Sequence, residues 1–292
     1  MSRFQDARAP EPEEELNQLL DADFRDRDGQ FGSLRVAALP EPVPDEIKFG
    51  KTPAEQSCPL THETVVKNCT ARNWTPDSSV LLSFRSDAPV RGAEEFRALR
   101  SRLYQAREKA PFKSILVASA VAGEGRSFVA ANLARVLALQ PGCQVLLIDG
   151  DLRASRLHSI FGTSASPGLS EYLSSQVEEL DVIQRGSSDG LFLIPCGRSA
   201  SGQTELIANA RFKVLLDRVG PAFDWVVVDS TAAILVSDAS LMASWCDGVL
   251  MVVRSNSTPY DVVLKACRRF REESLVGVLL NRIRTRPAAR VR

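Results

Sequence analysis

The stretch from Ser114 to Leu137 limits the possible folds of this chain more than any other. An apolar run, Ser114-Ile-Leu-Val-Ala-Ser119, leads into a glycine-bearing loop, Ala120-Val-Ala-Gly-Glu-Gly-Arg-Ser127. A helical pattern follows, Phe128-Val-Ala-Ala-Asn-Leu-Ala-Arg-Val-Leu137. Strand, loop and helix in that order are the setting in which a phosphate-binding loop works. Gly123 and Gly125 let successive backbone N–H groups turn inward as an anion nest. The helix N-terminus adds its positive end at the same point. The segment Ala122, Gly123, Glu124, Gly125, Arg126, Ser127 and Phe128 is therefore expected to hold phosphates, with the Ser127 hydroxyl on a bridging magnesium.

The loop fits Ala/Gly-x4-Gly-Lys-Ser/Thr at every position except 126, where Arg stands in place of Lys. Arg keeps the positive charge but carries it on a planar, bulkier fork. Losing one well-placed transition-state donor costs on the order of 10²–10³ in rate. Arg126 thus permits binding and argues against fast turnover.

The rest of the chain supplies the sheet that such a loop needs. Val145-Leu-Leu-Ile148, Trp225-Val-Val-Val228 and Val249-Leu-Met-Val-Val253 are continuous apolar runs, not alternating ones, as in parallel strands covered on both faces. Strands are predicted near 114–119, 144–148, 191–195, 224–229, 248–253 and 276–280. Helices are predicted near 92–109, 126–139, 203–218, 237–244 and 259–272, with short ones up to 173. The expected fold class is α/β, a P-loop NTPase with a central, mostly parallel sheet flanked by helices. Residues 1–85 are polar and punctuated by Pro, with one short helical candidate at 14–24, and read as a largely disordered N-terminal arm. The domain is expected over 86–284 and a basic tail over 285–292.

Charge adds little. The 36 Lys and Arg balance 36 Asp and Glu, so nothing global points to nucleic acid. The arginines at 282, 284, 286, 290 and 292 read as a solvated end. No apolar run is long enough to span a membrane, which leads to the expectation of a cytoplasmic protein. Cys58, His62 and Cys69 give three ligands where a structural zinc wants four.

Three carboxylates at two strand ends complete the candidate pocket. Asp149 and Asp151 follow the run 145–148, and Asp229 ends the run 225–228. Strand C-termini are where α/β sheets gather ligand residues. Carboxylates there, beside a phosphate loop, can hold magnesium and take a proton from an attacking hydroxyl.

With these residues in place, the chain over about 88–284 resembles the bacterial tyrosine kinases of exopolysaccharide export, P-loop ATPases related to the partition ATPases. The likeness rests on Glu94-Glu-Phe-Arg97-Ala-Leu-Arg100, the loop through Asn132-Leu-Ala134, Leu147-Ile-Asp149-Gly-Asp151-Leu-Arg153, Pro167-Gly-Leu-Ser-Glu-Tyr-Leu173, and 223–229 with Val236-Ser-Asp238-Ala. It implies ATP and Mg2+ as cofactors. It also implies Asp149 at the metal and the incoming tyrosine, Asp151 assisting, Asp229 beside the magnesium, and Asn281 near the adenine. Glu94, Arg97 and Arg100 match an element that joins subunits, implying a homo-oligomer. The implied partner is the cytoplasmic tail of a membrane polysaccharide chain-length regulator, which would bring the protein to the membrane's inner face. The partition branch fits less well, since its second lysine falls at Val121.

Departures accompany the likeness. Arg126 replaces Lys, and Asp229-Ser-Thr-Ala-Ala233 lacks the family's two prolines. Gln203-Thr204 stands for Asn-Pro, and no tyrosine follows Tyr260. Tyr104 and Tyr172 sit in predicted helices as packing residues. Two readings stay open: a protein-tyrosine kinase, weak or acting in trans, and a nucleotide-responsive scaffold that does not turn over.

Overall fold

The computed structural model describes residues 58–84, 92–186, 190–198, 203–208, 210–234 and 237–282. In chain order these form α1 (His62–Asn68), β1 (Thr70–Ala71), α2 (Ala93–Lys109), β2 (Ser114–Ser119), α3 (Arg126–Ala138), β3 (Val145–Asp149), α4 (Leu157–Phe161), α5 (Leu169–Leu173), α6 (Glu179–Val182), β4 (Gln184–Arg185) and β5 (Leu191–Ile194). They continue through α7 (Gln203–Ala208), α8 (Arg211–Val219), β6 (Trp225–Ala232), α9 (Asp238–Ala243), β7 (Gly248–Arg254), α10 (Tyr260–Cys267) and β8 (Leu275–Asn281).

The strands make one sheet in the order β1-β4-β5-β3-β6-β2-β7-β8, parallel at every neighbouring pair except β4–β5. Every residue of β2, β3 and β6 is buried, which accounts for their unbroken apolar composition. Successive side chains leave opposite faces. Leu116, Ala118, Leu146, Ile148, Val226 and Val228 pack with α5 and α7–α10. Ile115, Val117, Val145, Leu147 and Val227 pack with α2–α4. Helix α3 lies between the sheet and α2, and its residues Val129–Ala134 are all buried, which explains its weak amphipathic pattern.

The sheet matches the predicted strands, with four differences elsewhere. Residues 58–84, read from sequence as part of the arm, pack onto the domain. Val65, Trp74, Leu81 and Phe84 are buried there. Their attachment depends on buried Asn132 in α3, whose carbonyl oxygen accepts from Leu82 N at 2.8 Å while its Nδ2 donates to Val80 O at 3.1 Å. Nothing in the local pattern of 58–84 announces this, because the partner lies some 50 residues away in the chain. The predicted helix 203–218 is two helices, broken where Ala210 adopts φ +60°. The predicted helix 259–272 ends at Cys267. The two-residue strands β1 and β4 are too short for any periodicity. The helical candidate at 14–24 and the basic end beyond Arg282 lie outside the described residues.

Candidate functional site

The phosphate loop joins β2 to α3 at the C-terminal edge of the sheet. Gly123 and Gly125 adopt φ +80° and +96°, the left-handed values that a nest of inward N–H groups requires. Ala122 and Gly123 are exposed at the loop's crest. Phe128, one turn into α3, packs edge-on against Phe96 of α2, so it can offer a ligand only its backbone.

Glu124 does not face the crest. Its buried carboxylate accepts from Val121 N (2.9 Å), Arg254 N (3.1 Å) and Thr258 Oγ1 (2.6 Å). Asn281, at the end of β8, donates from Nδ2 to Glu124 O at 2.8 Å. That amide fills the space where a Cβ on Gly125 would project. Both side chains fasten the loop to β7 and β8, a role that spacing alone did not separate from ligand contact.

Arg126 is the best-satisfied charge in the site. Its Nε donates to Ser230 O (2.8 Å), one terminal nitrogen donates to Ser119 Oγ (2.6 Å) and Val121 O (3.4 Å), and the other reaches Asp151 Oδ2 (3.3 Å). Four of its five N–H donors are thus spent within the protein. The guanidinium ties together the base of the loop, the end of β6 and the segment after β3. Ser119 and Ser230, its partners, gave no sequence signal because both stand in strand-end positions where Ser is unremarked.

The three aspartates meet at one edge. The order places β6 between β2 and β3, so Asp149 and Asp229 are register partners. Gly150 N donates to Asp229 O at 2.9 Å, and a Cβ on Gly150 would stand 2.6 Å from that oxygen, so the close approach needs glycine. Asp149 Oδ2 accepts from Ser155 Oγ (2.8 Å) and Leu157 N (3.1 Å). Asp151 Oδ1 accepts from the backbone N–H groups of Arg153 (3.2 Å) and Ala154 (2.9 Å). Beyond them, Arg153 pairs with fully buried Asp238 at 3.0 Å, and Thr204 hydrogen-bonds both.

Burial sets the acid–base character here. Together with the charge of Asp151 it raises Asp149 to about 6, against the hydrogen bonds from Ser155 and Leu157. Burial likewise raises Asp229 to about 8, with the charge of Asp149 adding and the Arg126 charge and Ser127 hydroxyl opposing. The Ser127 hydroxyl does not reach hydrogen-bonding geometry, and both Asp229 oxygens have no partner. Asp149 Oδ1 and Thr231 Oγ1 are also buried without one.

Buried acceptors left unpaired at one point are what a hard cation would satisfy. No cluster of three or more His, Cys, Asp or Glu among the described residues could hold a metal unaided. Magnesium binds through one or two carboxylates and takes its remaining ligands from phosphates and water, a demand that the unpaired oxygens of Asp149 and Asp229 suit.

The residues proposed to join subunits are partly engaged within their own chain. Arg97 pairs with Glu94 and donates to Phe84 O at 2.7 Å. Arg100 donates to Val136 O at 3.0 Å, at the end of α3. Glu94 points to solvent.

A parallel sheet whose central strand opens through a glycine nest into a buried helix, with acidic strand tips alongside, defines a P-loop NTPase fold. No protein-family model matches the chain. Individual proteins do. Tyrosine-protein kinase CpsD of Streptococcus agalactiae is 31% identical over 194 residues, 65% of this chain and 83% of that protein. Tyrosine-protein kinase ptk of Acinetobacter johnsonii is 31% identical over 192 residues, and there the match spans only 26% of the relative's length. Among solved structures, the kinase domain of Escherichia coli tyrosine kinase ETK superposes with a TM-score of 0.63 at 28% identity, covering 80% of this chain and 92% of that one. The chain belongs to the bacterial tyrosine-protein kinase family. No helix among the described residues is long and apolar enough to cross a membrane.

Proposed function

We propose that the chain binds ATP with magnesium at loop 120–127 and passes the γ-phosphoryl group slowly to a protein tyrosine. The observation that carries this reading is the set of unpaired, buried acceptors on Asp149 and Asp229, opposite each other beside a loop already in nest conformation. The nest and the N-terminus of α3 receive the phosphates. Ser127, Asp149 and Asp229 would hold magnesium, which when bound neutralises charge on the transferring group. The Asp149–Asp151 pair faces the acceptor and takes its proton. Arg126 stays bound to Ser119, Ser230 and Asp151, so it orders the pocket more than it follows the charge that develops on the phosphoryl oxygens.

That same engagement of Arg126 favours a second reading, a scaffold that binds nucleotide without turnover. In either case the family resemblance supports a place in exopolysaccharide biosynthesis. It also supports assembly of copies, with exposed Glu94 facing a neighbour while Arg97 and Arg100 set its helix, and a membrane chain-length protein as partner.

Labelled ATP and magnesium with a tyrosine copolymer test the two readings. The kinase reading expects slow phosphotyrosine formation, lost in Asp149→Asn. It expects a gain of about 10²-fold in Arg126→Lys, the worth of one placed transition-state donor. Binding without any labelling in the wild-type chain would leave only the scaffold.

A further inference from the structure

The chain has two histidines. One of them, His158, stands in the first turn of α4 and closes a row of hydrogen bonds that begins in the candidate site. Ser155 Oγ lies 2.8 Å from Asp149 Oδ2 and 3.1 Å from His158 Nδ1, and His158 Nε2 lies 3.0 Å from the hydroxyl of exposed Ser159. The proton count fixes the direction of this row. A serine hydroxyl carries one proton, and an ionised carboxylate can only accept. The proton therefore lies in the shorter, charge-assisted bond to Asp149. That leaves the Ser155 oxygen as an acceptor, so His158 donates to it from Nδ1. A neutral ring protonated at Nδ1 accepts at Nε2, here from Ser159. Every proton in the row points toward Asp149.

Resting on the proposal that Asp149 serves magnesium beside the phosphate loop, we infer that Ser155 and His158 are positioning residues for Asp149. The Ser155 hydroxyl and Leu157 N, at 3.1 Å, together occupy Oδ2. Oδ1 stays buried and unpaired, on a carboxylate whose register partner is the equally unpaired Asp229. Rotating the carboxylate to exchange its two oxygens would break both bonds to Oδ2, so Oδ1 is kept as the oxygen that serves the site. The backbone prepares this arrangement. Asp151 Oδ1 gathers the N–H groups of Arg153 and Ala154, folding the segment after β3 so that Ser155 meets Asp149. Fully buried Leu157 anchors the start of α4 in the core. His158 then holds the Ser155 hydroxyl in place from the solvent side, since a hydroxyl that already accepts from Nδ1 has one direction left in which to donate. This is the arrangement by which an outer hydrogen-bond partner orients a metal ligand.

The test uses the full chain with Ser155→Ala and His158→Ala, which break the row at two points, and His158→Asn, which keeps a donor near the Nδ1 position. Two readouts need no phosphoryl transfer. Nitrogen NMR of the metal-free chain at pH 8 is expected to show His158 as a neutral ring protonated at Nδ1, changing to Nε2 in Ser155→Ala. Binding of a fluorescent ATP analogue is expected to need about 10-fold more magnesium in Ser155→Ala and His158→Ala, the lower end of what losing an outer partner costs a metal site. His158→Asn should stay close to the wild-type requirement. Where wild type labels a tyrosine copolymer, kcat should fall in the same order while KM for the copolymer holds. A wild-type ring protonated at Nε2 would overturn the direction of the row and the role of His158. A lower melting temperature in Ser155→Ala with an unchanged magnesium requirement would make Ser155 a fastener of its loop and overturn the proposal. An unlabelled copolymer with both expected readouts present would end the kinase reading and leave the positioning of Asp149 standing. No binding of the analogue by wild type would end both.

Discussion

Asp229 sits where a carboxylate charge is costly. It is fully buried, both oxygens are unpaired, and burial raises it to about 8 from an ordinary value of 3.8. Between those values the folded chain holds a proton that the unfolded chain has released. Stability of the metal-free protein therefore falls as pH rises from about 4 to about 8 and levels off above. Asp149, raised to about 6, adds to the decline over the lower part of that window. Asp229→Asn removes the larger contribution. In chelator, the variant is expected to melt above wild type at pH 8, by about 2–4 °C for each kcal/mol gained in a domain of this size, with the gap closing toward pH 4. Thermal melts across that range check this, and a variant that melts lower at pH 8 would refute it. The position of Asp229 was legible because its apolar run ends in a carboxylate in a chain that also carries a phosphate loop. Its lack of partners was not, since that depends on Ser127 stopping short of it. The direction of Arg126 was equally hidden, being decided by Ser119 and Ser230 on two separate strands.

The phosphate loop is an element held from behind. Its nest was readable from two glycines, but the force keeping it in place comes from Glu124 and Asn281, which bring the ends of β7 and β8 against it. Both residues were expected at the ligand, and sequence spacing could not distinguish the side of the loop each faces. Glu124 meets two backbone N–H donors and one hydroxyl donor, so both carboxylate oxygens are needed as acceptors. Glu124→Gln turns one acceptor into an NH2 facing donors, and a buried donor left without a partner costs about 1–3 kcal/mol. The expected result is a lower denaturant midpoint with an unchanged slope, together with weaker binding of ATP as the loop loses its fixed shape. Equal stability and equal affinity in the variant would mean that the loop holds itself. The same linkage puts Thr258, at the turn into α10, in direct contact with the loop.

At the scale of the molecule, the central sheet was the most legible part because burial on both faces writes itself as unbroken apolar runs. The boundary of the domain was the least legible. Residues 58–84 alternate Pro, polar and isolated apolar residues, yet Val65 enters one face of the core, and Trp74, Leu81 and Phe84 enter the other. Trp74 packs at a tilt on Phe161 of α4, ring centres 5.2 Å apart, and its ring occupies the space where a Cβ on Gly186 would project. Truncating one buried Trp or Phe costs about 3–5 kcal/mol, and a whole domain is stable by only about 5–15 kcal/mol. Removing Trp74 and Phe84 together with Val65, Leu81 and β1 should therefore exhaust most of that margin. It would also leave Asn132, buried in α3, without the Leu82 and Val80 backbone groups that satisfy it. Two chains, one starting at residue 58 and one at residue 86, isolate this segment. The longer is expected to melt cooperatively, and the shorter to melt at least 10 °C lower or without a cooperative transition, a difference that follows from the scale of about 2–4 °C per kcal/mol. Equal melting temperatures would place the fold's true edge near residue 86 and reduce the packing of Trp74 and Phe84 to a surface contact.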